Sequence, residues 1–332
     1  MEGMMMVEAL LNGNREAKIR AANALTELPS RQRHILVECG VIAPLVSMLN
    51  SQEFGTTEAA LFALLSLAFG SERNKIIIAK SGAIPMIAKL LQHQTEDMIE
   101  PAVAALLILS SCTKTKLAIA ASGAVEPLVY MLNTPNNSIA MQAKLDSIAT
   151  LHNLSISEQI IPLIVSSGVI LSLLQLVYDV SKSSKLVEKA LGLLENIASS
   201  SNLGLQEIAE TGGAIRTLVE ALEEGSSQCR EYAVAILFLV CRSCREKYRG
   251  QILREGVMPG LLQVSIDGTW RAKEMARGLL QLLRDESDCG SRRKQLKNVI
   301  LEQIMKEIDA KEESTEGEAL RLVEDIIAKL KA

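Results

Sequence analysis

Hydrophobic positions recur along the chain in a phrase that is repeated six times. The clearest copy is residues 81–91, where a serine and a glycine precede two apolar residues, a proline and a run with leucines at helical spacing. The glycines of the six copies lie 41 to 45 residues apart and are Gly40, Gly82, Gly123, Gly168, Gly213 and Gly256. A period of this length predicts stacked helical repeats that bury their apolar surfaces against one another.

Each copy predicts the end of one helix, a sharp turn and the start of a second helix. Glycine adopts the left-handed backbone conformation that closes a helix. Proline is tolerated in the first helical turn because its missing N–H has no partner there. Pro44, Pro85, Pro127 and Pro259 take that place in four copies. The second helix ends at a double leucine or a similar apolar pair, and a polar break usually follows.

A third helix is predicted later in each repeat. Small and aliphatic residues cover most of its circumference, and a helix of this kind is buried on several sides. The predicted apolar runs are 59–68, 102–109, 145–154, 190–198, 233–240 and 276–283. The chain opens within a repeat, because residues 4–11 predict a second helix and residues 15–28 predict a third.

Residues 160–178 form a stretch of 19 residues without a charge, which is long enough to cross a membrane. Pro162, Gly168 and Gln175 interrupt the stretch, and Gly168 falls in register with the repeat. We therefore predict a pair of buried helices at this place rather than a membrane span.

The repeat pattern ends near Leu283, so we assign residues 1–284 to a repeat domain and residues 285–332 to a C-terminal helical extension. Within the extension, residues 292–310 and 315–330 each predict an amphipathic helix. We interpret this pair as a cap over the end of the repeats. A separate partner-binding or self-associating pair of helices is the alternative.

Composition also favours helices. Hydrophobic residues make up 48% of the chain but aromatic residues only 3%, so the core consists of Leu, Ile, Val and Ala. Strands of sandwiches and barrels favour β-branched and aromatic residues. The net charge of −4 argues against attraction of the whole molecule to nucleic acid. No secretory signal is recognisable and the six cysteines are scattered, so we expect a cytoplasmic or nuclear protein.

The repeated residues resemble armadillo repeats. In that family a short helix ends in glycine, a second helix has the form Gly-Ala-Ile-Pro-x-Leu-Val, and a third ends in Ala-Leu-x-x-Leu-x-Asn-Leu. The resemblance covers about residues 4–284. It implies an all-α fold, namely a right-handed superhelical armadillo solenoid of about seven repeats.

A narrower resemblance joins the later repeats to the armadillo domains of plant U-box ubiquitin ligases. Residues 193–198, 212–215, 254–262, 267–269 and 276–284 carry it. No U-box is recognisable before the repeats. We therefore expect either an armadillo-only relative or a fragment, and we do not expect ubiquitin ligase activity from this chain.

In armadillo proteins the third helices line a concave groove for an extended peptide, and an asparagine near each helix end clamps the peptide backbone. Among the seven equivalent positions only Asn153 and Asn196 are asparagine. Importin-α-like members also keep a tryptophan one turn earlier, and none of those seven positions holds tryptophan here. A nuclear-import receptor is therefore not expected. The candidate groove residues are Glu27, Phe62, Ser66, Asn153, Asn196 and Arg230.

Positive charge is concentrated near the C-terminal end of the repeats, where residues 230–297 hold 14 Lys and Arg against 8 Asp and Glu. The predicted basic surface consists of Arg242, Arg245, Lys247, Arg249 and Arg254. One interpretation is a solvated face that pairs with the acidic tail. The other is a surface for an acidic peptide, a phosphoprotein or a lipid headgroup. Nucleic acid is not expected, because stacking aromatics are few.

No residues predict catalysis, a cofactor or a metal site. Cys241 and Cys244 form a lone CxxC without a second pair of ligands. The three histidines lie in different repeats, and their spacing suggests no nucleophile beside any of them.

The sequence therefore predicts a non-catalytic scaffold that binds an extended peptide or a partner protein along the groove. The alternatives are a substrate-recruiting or regulatory component of a plant U-box ubiquitin ligase, and a peripheral membrane adaptor that uses the basic end. On the first hypothesis, Asn153→Ala with Asn196→Ala weakens partner capture without lowering the melting temperature.

Overall fold

The computed structural model of the protein describes residues 2–51, 53–92, 96–134 and 140–284. These residues are helical apart from short connections, and no strand occurs among them. The chain divides into two compact units, Met1–Val169 and Ile170–Ala332. The predicted C-terminal extension lies outside the described residues, so its two helices stay a prediction.

The described residues of unit 1 form a succession of short helices. In chain order they are α1 (Glu2–Asn12), α2 (Arg15–Glu27), α3 (Ser30–Glu38), α4 (Ile42–Leu49), α5 (Phe54–Ala68), α6 (Glu72–Lys80), α7 (Ala83–Gln92), α8 (Glu96–Ser110), α9 (Thr113–Ala121), α10 (Val125–Asn133), α11 (Met141–Ser155) and α12 (Ile161–Ser166).

The described residues of unit 2 continue the same succession from the boundary. The helices are α13 (Val169–Asp179), α14 (Lys185–Ser200), α15 (Asn202–Glu210), α16 (Ala214–Glu224), α17 (Ser227–Ser243), α18 (Arg245–Arg254), α19 (Met258–Asp267) and α20 (Trp270–Leu283).

The helices follow the predicted repeat of first, second and third helix, beginning with a second helix at α1. The third helices of unit 1 are α2, α5, α8 and α11, and each packs beside the next. In unit 2 the third helices α14, α17 and α20 pack in the same way. The prediction of an all-α armadillo-repeat fold is confirmed.

A left-handed glycine makes the turn between first and second helix. At Gly82 φ is +83°, and the Gly82 N–H donates to the carbonyl of Ala79, 3.2 Å away, at the end of α6. A residue with a Cβ is strained in this conformation. All six glycines of the repeated phrase have φ between 75° and 89°, which confirms their predicted role.

The third helices are longer than the apolar runs that predict them. For example, α17 begins at Ser227 rather than Ala233, and α20 begins at Trp270 rather than Ala276. Their first turns contain polar residues, and a side chain caps the first turn of α2, α14, α17 and α20. The Ser226 hydroxyl accepts the N–H of Cys229 at 3.2 Å, for instance. A hydrophobic pattern does not reveal a polar first turn.

The uncharged stretch 160–178 is two helices, as predicted. α12 ends at Ser166, Gly168 turns the chain with φ of +77°, and α13 begins at Val169. Among the described residues, no single helix is long and apolar enough to span a membrane. The helices Arg31–Glu38 and Ile42–Leu49, which meet at a bend, are long and apolar enough for a span when they are taken together. This rests on length and composition alone.

Candidate functional site

The third helices of unit 1 bury most of their surface and leave one stripe exposed. On α5 this stripe includes Phe62, Leu65 and Ser66, which recur at helical spacing, and Phe69 follows directly after the helix ends. We define the unit 1 face as the exposed and half-exposed residues on this stripe of α5, α8 and α11, together with Phe69 directly after α5: Glu58, Phe62, Leu65, Ser66, Phe69, Glu100, Ala104, Leu107, Ile108, Asp146, Ala149, His152 and Asn153.

The unit 1 face is mostly apolar. Its three carboxylates, Glu58, Glu100 and Asp146, lie in the N-terminal halves of their helices. Beyond them the face presents aromatic, aliphatic and neutral polar side chains. Phe62 is 43% exposed and Phe69 is 72% exposed. Burial of such an apolar surface against a partner lowers the free energy of the complex.

Asn153 is half-buried in the last turn of α11, as its position in the repeat predicts. Its Nδ2 donates to the hydroxyl of Ser110 at the end of α8, over 3.0 Å. Within the part of the chain that the structure describes, its Oδ1 has no hydrogen bond. That oxygen is available to a backbone N–H of a bound segment.

The Ser110 contact changes one expectation. Asn153→Ala removes an interhelical hydrogen bond, and such a bond contributes about 0.5–1.5 kcal/mol to stability. The prediction that the double asparagine variant leaves the melting temperature unchanged therefore needs correction, and we expect a modest decrease.

Two other predicted groove residues of unit 1 occupy different settings. Ser66 lies on the unit 1 face, but its hydroxyl accepts a hydrogen bond from Arg33 of α3, whose Nη1 also donates to the Ser66 carbonyl at 2.7 Å. Arg33 thus caps the end of α5, where helix carbonyls lack partners. Glu27 is the exposed last residue of α2.

Asn196 is half-buried on α14 in unit 2, in a more charged setting than Asn153. We define the unit 2 face as the exposed and half-exposed residues of α14, α17 and α20 on the corresponding stripe, together with the buried Glu231 that contacts them. Its members are Glu188, Glu195, Asn196, Glu231, Tyr232, Phe238, Leu239, Arg242, Arg271, Glu274 and Gly278.

One arginine links three helices on the unit 2 face. Arg271 of α20 places Nη2 2.6 Å from Glu195 Oε1 of α14 and Nη1 3.2 Å from Glu231 Oε1 of α17. The hydroxyl of Thr269 donates to the other Glu231 oxygen at 2.5 Å. Burial opposes the charged guanidinium, but Glu195 and Glu231 outweigh it and raise the pKa of Arg271.

Aromatic rings from α17 cover glycines at two of the seven positions where importin-α-like proteins keep a tryptophan. The Tyr232 ring lies over Gly192 of α14, where an added Cβ would stand 3.3 Å from Cε2. The Phe238 ring lies over Gly278 of α20, where the same distance would be 2.8 Å. Sequence reasoning missed these rings because a neighbouring helix supplies them.

Acidic groups surround the Tyr232 phenol. Burial is the main reason that its pKa is raised. The negative charges of Glu231, Glu188 and Glu195 act in the same direction, whereas a hydrogen bond with Gln228 opposes them. The middle of the unit 2 face is therefore an acidic patch with one arginine in it.

Arg230, also predicted to lie in the groove, binds the ends of second helices instead. Its Nη2 donates to the carbonyl of Glu223 at 3.1 Å, in the last turn of α16. Its Nη1 lies 3.7 Å from Asp267 at the end of α19. The guanidinium thus supports the turn between second and third helices.

Three of the five residues of the predicted basic surface bind other residues of unit 2 through hydrogen bonds. Arg245 Nε donates to the carbonyl of Leu282 at 2.6 Å, and Arg249 Nε donates to that of Leu283 at 2.9 Å. Both therefore cap the end of α20. Lys247 is exposed and lies 2.8 Å from Glu210.

Two arginines of the basic surface are exposed, as Lys247 is. The Arg242 guanidinium lies over the Phe238 ring, 5.3 Å from its centroid. Arg254 is exposed at the end of α18.

The CxxC cysteines lie in different environments. Cys241 is buried, and burial raises the pKa of its thiol, whereas Cys244 is exposed. Within the described ranges, no three His, Cys, Asp or Glu side chains are grouped as metal ligands.

Family comparisons cover most of the repeats. The model of the plant U-box protein ARM repeat region matches residues 123–300. The model of the armadillo/β-catenin-like repeat matches residues 29–69 and 71–111. Armadillo repeats are typical of protein-binding scaffolds, which bind peptides or protein partners and are generally non-catalytic.

Curated relatives match over part of their length. U-box domain-containing protein 45 of Arabidopsis thaliana is 30% identical over 159 residues, which are 47% of this chain and 20% of that protein. U-box domain-containing protein 28 of the same plant is 26% identical over 167 residues, or 50% of this chain and 40% of that protein. The matched region thus spans less than half of either relative.

Solved structures show the same fold. An engineered protein aligns with 99% of this chain and 78% of its own length at 21% identity, with a TM-score of 0.75. A designed armadillo repeat protein in complex with the peptide (KR)4 aligns with 73% of this chain and 99% of its own length at 23% identity, with a TM-score of 0.62.

Proposed function

The chain belongs to the family of plant U-box protein ARM repeat regions, and from this premise we propose that it is a scaffold that binds an extended segment of a partner protein on its third helices. Function then rests on the exposed stripes of these helices. The buried residues and the glycine turns hold the stripes in place.

The observation that carries this proposal is the equivalent placement of two amides. Asn153 on α11 and Asn196 on α14 occupy equivalent positions in successive repeats of the sequence, and each is half-buried near the end of its third helix. An amide offers both a donor and an acceptor, so it can pair with a peptide backbone as a neighbouring strand would. The uncovered Phe62 and Phe69 add apolar contact area in unit 1.

The designed armadillo protein in complex with (KR)4 supports peptide binding as a use of this fold. Its peptide sequence is not transferred, because the similarity shows the fold alone. The chemistry of the partner must come from the side chains of this chain.

The test compares binding by wild type and by Asn153→Ala/Asn196→Ala. The partner is first identified by affinity purification and mass spectrometry, and its affinity for the purified chain is then measured by calorimetry. We expect the double variant to bind about tenfold or more weakly, because each lost backbone contact contributes roughly 1 kcal/mol.

Asn202→Ala is the matched control. Asn202 is an exposed asparagine on the first helix α15, so the proposal predicts wild-type affinity for this variant. Equal affinity of wild type and the double variant, with both folded, would contradict the assignment of the two asparagines.

An acidic or phosphorylated partner segment is a finer proposal for the basic surface. Arg242 and Arg254 are its exposed arginines, whereas Arg245 and Arg249 cap α20. We expect Arg242→Gln with Arg254→Gln to weaken binding of a phosphopeptide more at low salt than at high salt, because exposed charges are screened.

A second candidate function is recruitment or regulation within a U-box ubiquitin ligase. The similarity to the repeat regions of U-box proteins 45 and 28 favours it. On this proposal the purified chain alone forms no ubiquitin conjugates, and its addition to a U-box ligase changes the rate of substrate ubiquitination. An unchanged rate at saturating concentration would exclude the role for the ligase tested.

A further inference from the structure

On the unit 2 face, an arginine side chain already lies between two carboxylates. Arg271 bridges Glu195 and Glu231, which come from two other helices. The side chains of Glu195 and Glu231 are only 14% and 11% exposed, whereas that of Arg271 is 44% exposed. The carboxylates are thus fixed parts of the surface, and the guanidinium covers them from the solvent side.

These carboxylates would attract basic peptides if they were uncovered. Glu188 adds a third negative charge beside Tyr232, whose ring lies over Gly192. Carboxylates next to an aromatic ring suit a lysine or arginine side chain, through ion pairing and cation–π attraction. A partly buried carboxylate that lacks a counter-charge is costly, so it binds an available cation.

We propose that Arg271 is a specificity-determining residue, which excludes basic peptide segments from the unit 2 face by occupying Glu195 and Glu231. The residue acts as an internal substitute for a peptide cation. It neutralises part of the negative charge of the face, so that an extended segment with few positive charges is preferred. This inference rests on the proposed function only for the idea that peptides bind at this face.

A purely structural role for Arg271 makes a different prediction. If the guanidinium only joined α14, α17 and α20, its removal would lower stability and leave peptide preference unchanged. The decisive measurement is therefore a gain of binding, since loss of structure does not create a selective new affinity.

The test uses the full chain and a synthetic peptide of alternating lysine and arginine, with binding followed by fluorescence anisotropy. We expect Arg271→Gln to bind this peptide at least about tenfold more tightly than wild type. Adding Glu195→Gln and Glu231→Gln to that variant should abolish the gain. The gain should also shrink as salt rises, because it is electrostatic.

Two further variants serve as controls for this measurement. Lys273→Gln removes a positive charge elsewhere on α20 and should give no comparable gain. Arg271→Lys keeps a charge but lacks the planar fork that reaches both carboxylates, so an intermediate gain is expected, and it is measured if the glutamine variant does not fold. A folded Arg271 variant without any gain, or an equal gain from Lys273→Gln, would overturn the proposal.

Failure of this inference is separable from failure of the proposed function. Arg271→Gln is compared with the same variant carrying Asn196→Ala. If both bind the basic peptide more tightly than wild type by the same factor, Arg271 sets specificity and the proposed backbone contact of Asn196 is wrong. If Arg271→Gln gains nothing, the inference is wrong, and the binding of the natural partner by the asparagine variants still tests the function.

Discussion

On α5, α8 and α11 the exposed stripe is mostly apolar, and its charged residues are carboxylates near the N-terminal ends of the helices. On α14, α17 and α20 the stripe has carboxylates and arginines along its length, between its aromatic residues. The two stripes occupy the same place in the repeat and lie on helices with the same kind of buried core. The difference shows that the core specifies the fold and leaves the exposed stripe free to vary. On the proposed function, a partner is therefore recognised where the repeats differ.

The largest effects should come from the shared core. Leu61 of α5 and Leu237 of α17 are both fully buried. Changing either to alanine should lower the free energy of unfolding by about 2–5 kcal/mol, measured by chemical denaturation, because a cavity remains. Leu65→Ala, on the unit 1 face of the same helix as Leu61, should cost much less. A large difference between Leu61→Ala and Leu237→Ala would show that the two cores are not equivalent.

The arginine caps should have the next largest effect. Arg33 caps α5 in unit 1 and Arg249 caps α20 in unit 2. Each alanine substitution should cost roughly 1.5–3 kcal/mol, because a charged donor is removed from helix carbonyls. The exposed Lys247 provides the control, since its alanine variant should keep the wild-type melting temperature. If Arg33→Ala leaves the free energy of unfolding unchanged, the arginine cap does not stabilise unit 1 as it stabilises unit 2.

The smallest effect should come from the amide of Asn153. Asn153→Ala should cost about 0.5–1.5 kcal/mol, because its hydrogen bond to Ser110 is lost. Ser110→Ala and the double variant complete a thermodynamic cycle. If the two costs add without coupling, the hydrogen bond does not contribute to stability.

The sequence predicts the scaffold well because each repeat carries its own local signals. Glycine at the left-handed turn, proline in the first turn and apolar runs all act within a few residues. They locate the helices of all three kinds, from α1 to α20. The polar first turns were missed because a hydrophobic pattern carries no information about them.

Sequence reasoning identified only some residues of the candidate site. It identified Asn153 and Asn196, whose positions follow from the repeat and whose role in binding stays a prediction. It did not find the bridge from Arg271 to Glu195, because 76 residues separate the two and no spacing rule joins them. It also placed Arg230 in the groove, since its position in the repeat does not reveal that the guanidinium binds the end of α16.

Photo-crosslinking to the identified partner tests the central claim most directly. A photoreactive phenylalanine analogue replaces one aromatic residue at a time. Phe62 and Tyr232 lie on third helices, whereas Tyr130 and Tyr178 are exposed on second helices.

The account predicts partner crosslinks from position 62, position 232 or both, and none from positions 130 and 178. Crosslinks from the second-helix positions alone would contradict it, because the partner would then bind away from both third-helix faces.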